Sequence, residues 1–272
     1  MKNKIHYVSF IPKTYLSGNF NKMKKHILYF LLLFISLVGN AQVSIKDSTV
    51  AVVLVGTSYA FQLPGGNLAD RFGYNSNAGM AFFQKTKKNW LWSVNGSFMF
   101  GNRLKETGML DSISTQGGYI IDQNGEFADI RLYERGFTAS ACLGKLIPAF
   151  GPNPNSGIFF LAGAGFMQHK IRIESIGNRT PQLNGDYKKG YDRLTGGFAL
   201  TQFVGYLFLS NNRLANFYAG FECTEGFTQS QRTYDYDLMK RDNTKRKDLL
   251  YGIRIGWILP LYKKAPKQFY YY

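Results

Sequence analysis

His169, in the stretch FMQHKIRIE, is the side chain of this sequence best suited to acid–base chemistry. The sequence holds three histidines, and His6 and His26 fall in an N-terminal segment argued below to be removed, which leaves one imidazole. One histidine excludes the common His-pair metal sites, and as a general base it needs a nucleophile beside it. No serine adjoins it in the sequence, so His169 reads as an inert residue at the end of a strand. Glu222 and Arg254 are a second candidate: opposite charges on neighbouring strands, facing the same way, able to pair. Cys142 and Cys223 fall in the middle of strands far apart in the topology and read as free thiols. The sequence contains no P-loop, dinucleotide fingerprint or Cys-x-x-Cys. These residues predict no catalytic residue, no cofactor and no metal.

The elements that position these residues follow from alternation. Period-two patterns mark eight strands, at 50–62, 74–86, 90–101, 135–148, 157–172, 193–209, 215–229 and 246–262. In NWLWSVNGSFMFG, Trp90, Trp92, Val94, Phe98 and Phe100 share one face, while Ser93, Asn95 and Ser97 share the other. In LLYGIRIGWILPLY, Tyr251 to Leu261 at odd positions oppose Gly252, Arg254 and Gly256. Strand six is less regular, with Gln202 on the face of Phe198, Leu200 and Val204, and a bulge would account for it. TKKN, GPNPNS and SNNRL make short turns, whereas the connections 63–73, 102–134, 173–192 and 230–245 are long. Short and long connections alternate, which is the asymmetry of an antiparallel transmembrane β-barrel with tight turns at one end and long extracellular loops at the other.

A soluble barrel also alternates, but its bulky apolar face is the inside. Here the bulky face is nearly free of charge and the other face is small or polar, which suits a narrow lumen. Asn95, Tyr218, Glu222 and Arg254 are the lumen-lining candidates, with Gly163, Gly165, Gly220, Gly252 and Gly256 leaving them space. Tyr59, Phe61, Trp90, Trp92, Phe159, Phe160, Tyr206, Phe208, Trp257 and Tyr262 suit the aromatic girdles at two membrane interfaces. In the loops, Asn124-Gly125 predicts a two-residue type I′ turn between short strands at 118–122 and 127–133. NLADRF predicts one helical turn capped by Asn67. NGDYKKGYDR and QRTYDYDLMKRDNTKRKD mix tyrosine with cations, a pattern suited to the phosphates and sugars of lipid A rather than to nucleic acid, and equally to solvated loops with no partner.

MKKHILYFLLLFISLVGNAQ, from Met23, has the charged start, apolar centre and small-residue cleavage site of a secretory signal peptide. Its apolar run is shorter than the ~20 residues of a membrane-spanning helix. Cleavage after Ala41 divides the chain into an extended signal segment (1–41), a barrel (42–262) and a basic, aromatic tail (263–272). Six of the 33 Lys and Arg and none of the 17 Asp and Glu fall in 1–41, so the rest carries a formal charge of +10. An exported cation of this size meets anionic lipid before it meets nucleic acid.

The GNAQ cleavage region, the eight strands and the tyrosine-rich barrel resemble the small outer-membrane β-barrels of Bacteroidota, broadly the OmpW-like or PorT-like group. The aromatic alternation of the last strand is similar to the insertion signal of such barrels, although the tail KKAPKQFYYY continues past it. The resemblance implies the cell outer membrane as the location. It also implies a non-enzymatic role, structural or as an accessory of surface or secretion machinery. Outer-membrane lipid, lipid A included, and another envelope protein are the partners implied, with no nucleic acid. Two alternatives stay open: a barrel enzyme modifying lipid A or phospholipid, and a soluble periplasmic ligand-binding barrel.

Overall fold

The computed structural model describes residues 48–211 and 215–262. The signal-like segment, the tail 263–272 and part of the SNNRL turn lie outside these residues. Eight antiparallel strands close into a barrel in sequence order, with β1 paired to β8. They are β1 (Val52–Gly66), β2 (Asn75–Lys85), β3 (Trp90–Gly101), β4 (Ile130–Pro148), β5 (Gly157–Ser175), β6 (Thr195–Leu209), β7 (Asn216–Ser230) and β8 (Lys245–Tyr262). The β2–β3, β4–β5 and β6–β7 connections are short, and the other ends carry the long loops. Among the described residues no helix is long and apolar enough to cross a membrane.

Two strands run further than their sequence suggests. β1 continues through Pro64, Gly65 and Gly66 because it stays paired with β8 as far as Gly66↔Asp248. Its pairing with β2 ends at Gln62, so Pro64 sits where one edge of the wall is open and a proline is tolerated. β4 begins at Ile130, not 135, and pairs with β5 from Ile130↔Ser175 to Pro148↔Gly157. Residues 130–134 therefore belong to the barrel wall rather than to a loop hairpin.

The outer wall is apolar around the whole barrel, with Trp92, Phe98, Phe160, Phe221, Ile253 and Trp257 all exposed. Phe159 and Tyr262 depart from the girdle assignment. Both have inward parity: Phe159 is 1% exposed and Tyr262 packs against the buried core at the short-turn end. Gln202 lies outward with Phe198 and Val204, and the register of β6 with β5 and β7 is unbroken, so no bulge is present. A glutamine simply occupies an outward position of a regular strand.

The interior has three levels. At the short-turn end Leu54, Phe83, Leu91, Phe159, Phe203 and Tyr218 form an apolar plug. At the long-loop end a second cluster joins wall residues such as Met99 and Met167 to Leu68, Phe72 and Ile120 of the loops. A polar belt lies between them. The inner wall is thus bulkier than a lining of glycines and polar groups, and one glycine shows how it fits. A Cβ on Gly256 would stand 2.3 Å from the ring of Tyr218, so this glycine gives the ring its place.

Candidate functional site

Arg254 anchors the belt. Its Nε and Nη2 donate to the two carboxylate oxygens of Glu222, both at 2.7 Å, a bidentate fork in a buried setting. Nη1 donates to Ser58 Oγ at 2.8 Å, Nη2 also reaches Asn77 Oδ1 at 3.4 Å, and Gln62 donates to Glu222 at 3.2 Å. The four lumen-lining candidates all face inward. Tyr218 packs in the apolar plug just below the fork, and Asn95 donates to Ser93 Oγ at 3.2 Å across the lumen from it. Asn95, Tyr218, Glu222 and Arg254 line one cavity of about 20 Å³, enough for a single water. Cys142 faces this cavity and Cys223 the outer wall; both are free.

His169 lies deeper than a strand-end position suggests, 1% exposed and covered edge-on by Phe72. Its Nε2 is 2.9 Å from Asp248 Oδ2, and Thr228 Oγ1 donates to the same carboxylate oxygen. The threonine hydroxyl thus serves Asp248 rather than the imidazole, and the trio reads as a structural bridge between β5, β7 and β8. Among the described residues no group of three or more His, Cys, Asp and Glu could hold a metal ion.

Above His169 the four long loops meet in one ionic network. Helix α1 (Asn67–Arg71) supplies Arg71, which lies 3.5 Å from Glu106 and donates to Thr195. Glu106 also pairs with Arg193 at 2.7 Å, and Arg193 pairs with Asp237 at 2.7 Å. Loops 67–74, 102–129, 176–194 and 231–244 are thereby tied through two arginines and two carboxylates. Backbone bonds reinforce the ties: Lys105 N–H to Arg71 C=O, Tyr236 N–H to Gly190 C=O and Gln231 N–H to Leu194 C=O. In the last loop, burial works to raise the pKa of Asp242. The Thr244 N–H and the Arg246 guanidinium outweigh it and hold the carboxyl down at about 2.

Two loop expectations are corrected. Asn67 is the first residue of α1 rather than its cap, which is Gly66, and its side chain accepts the Lys247 N–H at 2.9 Å instead. Asn124 and Gly125 do not make a type I′ turn, because of the two only Gly125 has positive φ. Gly125 N–H bonds to Asp122 C=O and Asp122 N–H to Glu126 C=O, a three-residue loop with glycine in the left-handed position. Asp122 dictates this form, since its Oδ1 accepts the N–H groups of both Asn124 and Glu126. The flanking strands reduce to a single Ile121↔Phe127 bridge.

Sequence reasoning missed Arg71, Glu106, Arg193, Asp237 and Asp248. Asp248 was within reach, since it shares the parity of Arg254. The other four come from separate loops and carry no periodic signal.

No family model matches the sequence, and no curated protein matches it. Among solved structures the chain is similar to Ail, the attachment invasion locus protein of Yersinia pestis, solved in complex with the heparin analogue sucrose octasulfate. That similarity has 11% identity over 77% of this chain and 99% of Ail, with a TM-score of 0.38. Neisserial surface protein A matches at 11% identity over 75% of this chain and 96% of its own, with a TM-score of 0.37. OprG, an outer-membrane protein of Pseudomonas aeruginosa, matches at 9% identity over 79% and 99%, with a TM-score of 0.37.

Proposed function

We propose that this chain is exported by its signal-like segment to the outer membrane. There it acts as a non-enzymatic barrel whose capped loops contact a partner at the cell surface, in a structural role or as an accessory of surface or secretion machinery. The observation that carries the membrane reading is the height of the apolar outer wall. On β4 the outward residues between Lys145 and Arg135 are Leu143, Ala141, Ala139 and Phe137, with no charge among them. Ten residues rise about 33 Å along a strand, which at the ~40° tilt of such barrels covers about 25 Å, the height of the apolar band of outer-membrane barrels. A soluble ligand-binding barrel would not expose Trp92, Phe98, Ile253 and Trp257 to water over that height.

The filled interior supports a barrel without a pore, and His169 beneath the cap is out of reach of membrane lipid, which disfavours the lipid-modifying alternative. The test combines fractionation, heat-modifiability and conductance. The protein sediments with the outer membrane, resists carbonate extraction, migrates differently on a gel before and after boiling, and gives no stable conductance steps in planar bilayers. Recovery as a soluble periplasmic protein with no heat shift overturns the membrane reading, and uniform single-channel steps overturn the closed lumen.

A further inference from the structure

Outside the lumen, the loop end carries a groove of about 780 Å³ between the upper outer wall of β4 and β5 and the loop 176–194. Six cations line it, Arg135, Lys170, Arg172, Lys188, Lys189 and Arg232, against two carboxylates, Glu174 and Asp192. Part of that charge is already matched. Arg232 holds Asp192 in a fork, Arg172 holds Glu174 and Lys189 holds Asp186 just outside the groove. Three positive charges remain, and two of them are placed in an unusual way. Arg135 and Lys170 are register partners, directly opposite one another on adjacent strands, where like charges repel. The Arg135 guanidinium donates to the carbonyls of Glu134 and Gly101, lies over the ring of Tyr133 and acts on the Glu134 carboxylate only through space, and Lys170 reaches Asp192 only at 3.9 Å. With Asp192 forked to Arg232 and only loosely reached by Lys170, the two facing cations leave a surplus of positive charge open to an anion from outside.

The height of the groove says where that anion comes from. One pair below, the outward row is Phe98, Phe137 and Gln168, the upper edge of the apolar band, and Phe98 itself lines the groove. The cations therefore stand at headgroup level, with aromatic rings under them at acyl level.

We propose that this groove binds the phosphorylated sugar headgroup of an outer-leaflet glycolipid, Arg135 and Lys170 gripping a phosphate while the acyl chains lie along Phe98 and Phe137. The proposal rests on the outer-membrane reading above and names the lipid that the barrel meets there. Arg135 supplies the planar fork that matches phosphate oxygens, and Lys170 a point charge beside it.

The test places the purified full-length barrel in phosphatidylcholine nanodiscs and titrates four probes: bisphosphorylated lipid A, the same lipid enzymatically dephosphorylated, its deacylated phosphorylated disaccharide, and inorganic phosphate. Lipid A binds with a salt-dependent affinity, and the other three bind at least about tenfold more weakly, one charge-assisted phosphate contact being worth roughly that factor. Arg135→Gln with Lys170→Gln lowers lipid A affinity about tenfold or more, while Lys145→Gln, the same charge change at the opposite end of the wall, leaves it unchanged. Equal binding of the dephosphorylated lipid, or unchanged binding by a heat-modifiable double variant, overturns the site. Equal binding of the disaccharide or of free phosphate overturns the lipid as its occupant. Absence of the heat shift in the unaltered chain brings down the membrane reading itself, so the two failures are told apart.

Discussion

The belt in the lumen and the cap above it are both built from arginine and carboxylate, yet they are held in place by different means. In the belt, Arg254 and Glu222 project from β8 and β7, and the register, Glu222↔Gly252 and Gly220↔Arg254, makes them diagonal neighbours on the inner wall without any loop. In the cap, Arg71, Glu106, Arg193 and Asp237 come from four connections, and each pair closes a long stretch of chain. The wall pre-organises the first network, whereas the second must itself hold the loops it depends on. Disturbing the belt should therefore cost global stability, and disturbing the cap should cost local order above an intact barrel.

The largest effect is expected at Arg254. Replacing it with leucine strands the Glu222 carboxylate in a buried site and should cost ~3–5 kcal/mol. Glu222→Gln together with Arg254→Met removes both charges and should cost clearly less. Equilibrium urea unfolding of the folded barrel in detergent micelles measures both. Equal, mild losses would show that the two residues do not act as a pair.

This difference in carrier explains what could be read from the sequence. The eight strands, their order of connection lengths and the facing of Arg254, Glu222, Tyr218 and Asn95 all follow from alternation, because a strand commits every second side chain to one wall. Phe159 and Tyr262 are aromatics near strand ends, as girdle residues are, but their parity turns both to the inner wall. The cap was not legible. Whether Arg193 meets Glu106 depends on how two loops return over the barrel, and no short pattern encodes that. The Asn124-Gly125 turn failed for a local reason: an aspartate two residues earlier offers the backbone a competing acceptor.

Packing in the plug gives the next effect down. Gly256→Ala drives a methyl into the Tyr218 ring and should destabilise the barrel by about 2 kcal/mol, as overpacking does. Adding Tyr218→Leu should recover much of that loss, because the ring is what the methyl strikes. No recovery in the double variant would mean that the neighbouring backbone, rather than the ring, sets the limit.

The cap should answer differently. Arg193→Met breaks its pairs with both Glu106 and Asp237, and local opening of the cap should become easier by about 1–2 kcal/mol. Hydrogen exchange should speed up across 102–110 and 231–240, while the unfolding midpoint of the barrel barely moves. Deleting 118–129, which stops short of β4, should likewise leave the heat shift intact while removing the loop hairpin's part in any partner contact. A large fall in the midpoint from either change would show that the cap and the wall form one cooperative unit.

The smallest effect tests the cap through pH. Asp242 has its folded pKa at about 2, below the value of about 3.9 expected for an unfolded aspartate. Its charged form is the one the fold favours, so its contribution is complete above about pH 4 and is lost as pH falls through about 2. At pH 6, Asp242→Asn should weaken protection of residues 240–246 by about 1 kcal/mol, because it removes the ion pair with Arg246. Near pH 2 about half of the folded molecules carry a neutral Asp242, and the gap between the two should narrow toward zero. Hydrogen exchange of this segment, corrected for intrinsic rates at each pH, reads the gap directly. A gap that stays constant from pH 6 to pH 2 would mean that the shape of the Asp242 turn, and not its charge, orders this loop, and the cap would then resemble the belt in being set by local geometry.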